Sequence, residues 1–176
     1  MDDLIIIPAR KGSKRIPGKN MIRLGGKPLI RYTLEFADKV QKEFDLSVVV
    51  TSDDELVLDL ADQFGFNKIL RDANLSDDRA KTTDVCLDAL NQIEKKCKSF
   101  FKRIHLFQPT APFRKLETFR NLYQSFIVND DTISIFSAVK EDSSHPAYMY
   151  YKSKNNLLHS FFRSFYIFIN QGNINF

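Results

Sequence analysis

Four short runs of apolar and β-branched residues stand out along this chain: Leu4 to Ile7, Leu46 to Thr51, Arg103 to Phe107 and Thr132 to Val139. Runs of that length and composition predict strands. Between them the apolar positions change to a helical period. Leu29, Ile30, Thr33, Leu34, Ala37 and Val40 fall on one helical face, and Leu56, Val57, Leu60, Ala61 and Phe64 fall on a second, with Ser52 or Asp53 as its expected cap. Val85, Ala89, Leu90 and Ile93 form a third stripe, and Leu116, Phe119, Leu122, Tyr123 and Phe126 a fourth. Strand and helix in alternation predict an α/β fold, Rossmann-like and three-layered, with a mainly parallel sheet between helices. Ligands of such sheets sit at the carboxyl ends of the strands, which would bring Arg10, Ser52, Gln108 and Thr110 to one rim.

Composition adds bounds to this picture. With 176 residues and 43% apolar side chains, the chain reads as a single domain over residues 1–176. Cys86 and Cys97 lie eleven positions apart on the predicted third helix, where the rise of ~1.5 Å per residue separates them by roughly 16 Å. That is too far for a disulfide, so reduced structural thiols are expected. No secretory pattern opens the chain and no apolar run is long enough to span a membrane, so a cytoplasmic location without a membrane partner is expected. The three histidines carry little chemistry: His105 alternates within an apolar strand, His145 precedes a proline and His159 lies in a polar stretch. None pairs with another at metal-ligand spacing.

Charge sharpens the reading. Between residues 10 and 31 there are eight Lys or Arg and no Asp or Glu, so the whole-chain excess of +4 arises in this one segment. The cations follow directly on the first apolar run, in a Gly-containing loop carrying Arg10, Lys11, Lys14, Arg15 and Lys19. A strand that delivers a basic, flexible loop can converge backbone N–H groups and cationic heads on a phosphate. Nucleic-acid binders more often spread their cations along a stripe with aromatics interleaved, so a small phosphorylated ligand is favoured and nucleic acid is not expected as a partner. The loop is not a Walker A sequence: five residues rather than four separate Gly12 from Gly18, and Asn20 follows Lys19 where a magnesium-binding hydroxyl would stand. A G-x-G-x-x-G fingerprint is also missing.

The run Ile7-Pro8-Ala9-Arg10-Lys11-Gly12-Ser13-Lys14-Arg15-Ile16-Pro17-Gly18-Lys19-Asn20, followed by Gly25-Gly26-Lys27-Pro28-Leu29-Ile30, resembles the N-terminal signature of the acylneuraminate cytidylyltransferases, the CMP-sialic acid synthetases and their relatives. Further similarities follow in order: Thr51-Ser52-Asp53-Asp54; Leu70-Arg71-Asp72 with Leu75-Ser76-Asp77-Asp78-Arg79-Ala80-Lys81-Thr82-Thr83; Phe107-Gln108-Pro109-Thr110-Ala111-Pro112-Phe113-Arg114; and Ser144-His145-Pro146. The resemblance implies an enzyme of cell-surface polysaccharide biosynthesis. It would transfer CMP from CTP to a nonulosonic acid, with release of pyrophosphate and Mg2+ as cofactor, and would work as a homodimer through a contact segment near residues 140–170.

On this resemblance Arg10 and Lys19 are the catalytic cations. Arg can bind two phosphate oxygens with its planar fork, and Lys acts as a point charge. Ser13 and Asn20 would add neutral donors; Lys14 would act directly or only through its field, while Lys11 and Arg15 are expected in solvent. Arg71, Ala80 and Thr82 are implied around the cytosine and ribose. The residues alone would equally allow Arg71 a surface ion pair with Asp72 or Asp77. Gln108, Thr110 and Arg163 are implied around the acidic sugar. Asp53 and Asp54 look like metal ligands, but capping of the next helix is the favoured reading. The family holds its magnesium with a late Asp-x-Asp pair, whereas no Asp follows Asp142 here, so the metal ligands stay unassigned. A catalytically impaired nucleotide-binding homologue is therefore the alternative function.

Overall fold

The computed structural model describes residues 3–13, 15–128, 134, 135, 137, 150–152 and 158–160. It comprises two compact units, Met1–Arg114 and Lys115–Phe176. The first unit contains a parallel four-stranded sheet. Its strands are β1 (Asp3–Pro8), β4 (Ser47–Ser52), β5 (Asn67–Leu70) and β6 (Arg103–Leu106), in the spatial order β5-β4-β1-β6. A small antiparallel hairpin, β2 (Arg23–Leu24) with β3 (Lys27–Pro28), precedes helix α1 (Leu29–Phe44); α2 (Glu55–Asp62) and α3 (Thr82–Cys97) complete the unit.

Alternation of side chains across the pleat explains why both faces of this sheet need a helix. Leu4, Ile5, Ile6 and Ile7 are all fully buried. Leu4 and Ile6 pack with Val49 and Ile69 beneath Ala89 and Ile93 of α3, with Cys86, Leu90, Phe101 and Ile104 at the margin. Ile5 and Ile7 pair in register with Val48 and Val50 on the opposite face, the side of α1 and α2. Burying each such aliphatic side chain contributes about 1.5–3 kcal/mol. The chain moves from β1 out to β4 and β5, then crosses back to place β6 on the other side of β1. That reversal puts the topological switch point between β1 and β6, where open α/β sheets form a crevice at the carboxyl ends of their strands.

The helical stripes agree with burial in α1, where Ile30, Thr33, Leu34, Ala37 and Val40 are buried, and in α3. In α2 the cap is Asp54, whose carboxylate accepts from Leu56 N at 3.2 Å; this agrees with the capping reading of the Asp53-Asp54 pair for Asp54 and corrects Ser52 and Asp53 as caps. Leu56 faces solvent and Leu58 takes a core position, which corrects the stripe at its start, while Val57 and Ala61 are buried as expected. The short strand β5 and the β2–β3 hairpin lay below the length at which periodicity is read. Gly25 and Gly26 form the hairpin's two-residue turn with φ of 56° and 84°, a conformation that favours glycine. Both cysteines lie free on α3, as expected.

The second unit contains α4 (Leu116–Val128), on which Phe119 is buried and stacks with Tyr123, and a hairpin of β7 (Tyr150–Lys152) with β8 (Leu158–Ser160). Most of the expected strand at 132–139, the 140–170 contact segment and Ser144-His145-Pro146 lie outside the described residues.

Candidate active site

At the switch point lies an open cleft of about 260 Å3, entirely within the first unit. Three stretches of chain form it: the loop after β1, the segment between β5 and α3, and the turn after β6.

The loop after β1 leaves the sheet at Ala9, whose N–H donates to the Thr51 carbonyl at 3.0 Å. From there it is tied down one residue at a time. The Ser52 hydroxyl donates to the Ala9 carbonyl, the Asp53 carboxylate accepts from Lys11 N at 2.7 Å, and Asn20 Nδ2 donates to the Arg10 carbonyl at 2.8 Å. The run Ser52-Asp53-Asp54 thus divides its labour: two residues anchor the basic loop and the third caps α2. Gly18, at φ 62°, opens the 3-10 turn Lys19–Met21 that closes the loop. Arg10, Ser13, Lys19 and Asn20 all line the cleft, and Lys11 and Arg15 face solvent. Lys14 lies outside the described residues.

Facing them is the segment from Arg71 to Thr82. Arg71 is buried and forms no surface ion pair with Asp72 or Asp77, which corrects that alternative. Its NH2 donates to the Thr51 carbonyl at 2.6 Å and its Nε to Thr51 Oγ1 at 3.3 Å. Burial lowers its pKa, with Arg10 acting in the same direction, while Asp53 and Cys86 partly restore it. A guanidinium stays charged at neutral pH under such a shift, so the cleft keeps a buried fixed cation. Burial also raises the pKa of Cys86, which keeps the thiol protonated. Asp77 folds the chain back: its Oδ1 accepts from Arg79 N at 2.8 Å and Ala80 N at 2.7 Å. Ala80 and Thr82 then line the cleft where α3 begins, and its cap residue Lys81 supplies no side-chain acceptor.

The third wall is the turn Gln108-Pro109-Thr110-Ala111, closed by Ala111 N donating to the Gln108 carbonyl at 3.2 Å. Proline suits the second position of such a turn. Gln108 and Thr110 line the cleft, as the sequence implied. Arg114 fixes the turn from behind: it donates to the Gln108 carbonyl and to Thr33 Oγ1 at 3.2 Å, and its guanidinium lies over the rings of Phe36 and Phe107.

Of the residues named from sequence, Arg10, Ser13, Lys19, Asn20, Arg71, Ala80, Thr82, Gln108 and Thr110 come together in this cleft; Arg163 lies outside the described residues. Three features escaped sequence reading. Asp78 and the Asp77 carbonyl contact Arg10, Ser52 and Asp53 act as loop anchors, and Arg114 braces the turn. Each depends on a contact between distant segments, so no local pattern could have flagged it. His105 is structural: its ring nitrogen lies 3.1 Å from the Asp3 carboxylate at the far end of the strands.

The family model described as "Cytidylyltransferase" matches residues 4–163. The chain belongs to the cytidylyltransferase family. It is 36% identical over 163 residues to a pseudaminic acid cytidylyltransferase of Campylobacter jejuni, covering 92% of this chain and 68% of that one. A CMP-N,N'-diacetyllegionaminic acid synthase of Legionella pneumophila is 36% identical over 137 residues, covering 77% and 58%. Among solved structures, CMP:2-keto-3-deoxy-manno-octonic acid synthetase complexed with CTP aligns with TM-score 0.59 and 25% identity, over 74% of this chain and 49% of that chain. The chain thus spans about half the length of that solved cytidylyltransferase.

Proposed function

We propose that this cytidylyltransferase-family chain binds CTP in the cleft and transfers CMP to a nonulosonic acid, releasing pyrophosphate. The observation that carries the reading is the convergence of the anchored basic loop, the Ala80–Thr82 segment and the Gln108–Thr110 turn on one cleft. All three stretches lie within residues 4–163, the span the family model matches, and each holds residues that resemble the family in the sequence. The names of the relatives from Campylobacter and Legionella favour a pseudaminic- or legionaminic-type acid as acceptor.

In this reading Arg10, Lys19 and Ser13 hold the triphosphate, Arg71, Ala80 and Thr82 hold the nucleoside, and Gln108 and Thr110 orient the acceptor. The sugar hydroxyl attacks the α-phosphorus in line. A new O–P bond forms as the bond from the α-phosphorus to the oxygen bridging to the β-phosphate breaks; that electron pair leaves with pyrophosphate and the hydroxyl proton passes to solvent. Such a step needs alignment and charge stabilisation rather than a covalent enzyme nucleophile. The loop cations stabilise charge moving onto the departing pyrophosphate. Magnesium is proposed as the counter-ion of the triphosphate. The carboxylates of the described cleft do not fit as its cage: Asp77 is tied to two backbone N–H groups and Asp78 to Arg10, and no group of three ligating side chains converges among the described residues. A cytoplasmic homodimer completes the proposal; among the described residues no helix is long and apolar enough to cross a membrane.

Calorimetric titration with CTP, with and without Mg2+, beside pyrophosphate release on a panel of nonulosonic acids, tests this reading. Binding with turnover is expected. Binding without turnover would leave an impaired nucleotide-binding homologue, and no binding would remove the enzymatic proposal. The loop anchor has its own check. Replacing Asp53 with Ala removes the acceptor of Lys11 N and is expected to weaken CTP by about 1 kcal/mol, roughly fivefold, with little change in melting temperature. An unchanged dissociation constant would refute the anchoring role.

A further inference from the structure

Arg10 is the leading phosphate ligand of the proposed site, and its guanidinium is engaged within the chain. Its NH1 lies 2.6 Å from Asp78 Oδ1 and donates to the Asp77 carbonyl at 3.1 Å. Both partners come from the segment between β5 and α3, so the pair joins two walls of the cleft. The Asp77 side chain pins that segment through the N–H groups of Arg79 and Ala80, which sets the carbonyl and the Asp78 carboxylate facing Arg10. About a third of each charged side chain remains exposed, so the pair is solvated enough to open.

We propose that Asp78 is a specificity-determining residue: its carboxylate is an internal stand-in for phosphate on Arg10, and a nucleotide binds by exchanging with it. This inference rests on the CTP reading of the cleft and adds a ranking of nucleotides to it. A triphosphate carries about four negative charges and can offer Arg10 two oxygens in a fork, which outcompetes one carboxylate. A nucleoside monophosphate brings fewer charges, and the phosphodiester of a CMP-sugar only one, so both gain less from the exchange. The same competition that admits CTP then helps to expel the product, because Asp78 re-pairs with Arg10 once pyrophosphate has gone.

The test is titration of CTP and CMP into the full chain and its Asp78→Asn and Asp78→Glu variants at fixed ionic strength, with thermal unfolding as a control for folding. Asp78→Asn removes the competing charge at a partly exposed site. It is expected to tighten CTP about two- to fivefold and CMP less, because CMP engages Arg10 less, which widens the triphosphate preference. Asp78→Glu keeps the charge and is expected to stay close to the parent ratio. Weaker binding of CTP by Asp78→Asn, or an unchanged CTP-to-CMP ratio, would overturn the exchange and make Asp78 an ordinary ligand or a bystander. If the parent chain binds CTP but the ratio does not move, only this inference falls. If neither the parent nor the variants bind CTP, the nucleotide reading falls and the exchange falls with it.

Discussion

Replacing Lys19 with alanine is expected to weaken CTP binding by about 1.5–3 kcal/mol, as for loss of a charge-assisted hydrogen bond. Calorimetry would read this as a rise in dissociation constant of ten- to a hundredfold. The residue stands where the basic loop closes into its 3-10 turn after the αL glycine, Gly18, and its side chain borders the cleft. Among the described residues Lys19 makes no ion pair, so the parent forfeits no internal partner when phosphate arrives. Arg10 differs, because it must first give up Asp78. Arg10→Ala is therefore expected to cost less than Lys19→Ala, although Arg has the better fork for phosphate. Folding should hardly change, since a surface substitution of this kind usually stays within about 0.5 kcal/mol. A Lys19→Ala chain with parental CTP affinity would sink the phosphate-loop assignment.

Truncating Ile6 to alanine is expected to lower stability by about 2–5 kcal/mol in urea unfolding, with the midpoint shifted and the slope kept. Ile6 is fully buried on the central strand, pairs with Val49 on one side and Leu106 on the other, and packs under Ala89 and Ile93 of α3. The hole would open between sheet and helix, where close packing leaves neighbours little room to relax. Leu56, apolar but facing solvent at 59% exposure, supplies the contrast: Leu56→Ala should move stability by less than about 0.5 kcal/mol. Equal losses at the two positions would contradict the packing described above.

That contrast shows where sequence reading succeeded and where it stopped. Leu56 and Ile6 are both aliphatic, and periodicity placed both in the core. Ile6 belongs to a continuous apolar run, which a parallel strand buried on two faces requires, so its position was overdetermined. Leu56 stood at the uncertain start of a helix, where a shift of one residue turns a side chain by about 100°. The site divides in the same way. Cations clustered in one loop, and polar residues set just beyond strand ends, could be read from order and charge alone.

The sequence by itself determined the layered α/β architecture and most of the residues that line the cleft at the strand ends, because hydrophobic period and strand order act locally and repeat. Only the tertiary structure decided what each polar side chain does there. It made Asp53 an anchor of Lys11, Arg71 a buried cation on Thr51, Arg114 a donor to Thr33 and Asp78 the occupant of Arg10. The physical reason is range: a hydrogen bond or ion pair is specified within about 3 Å in space, and these partners stand far apart along the chain until the sheet brings their loops together.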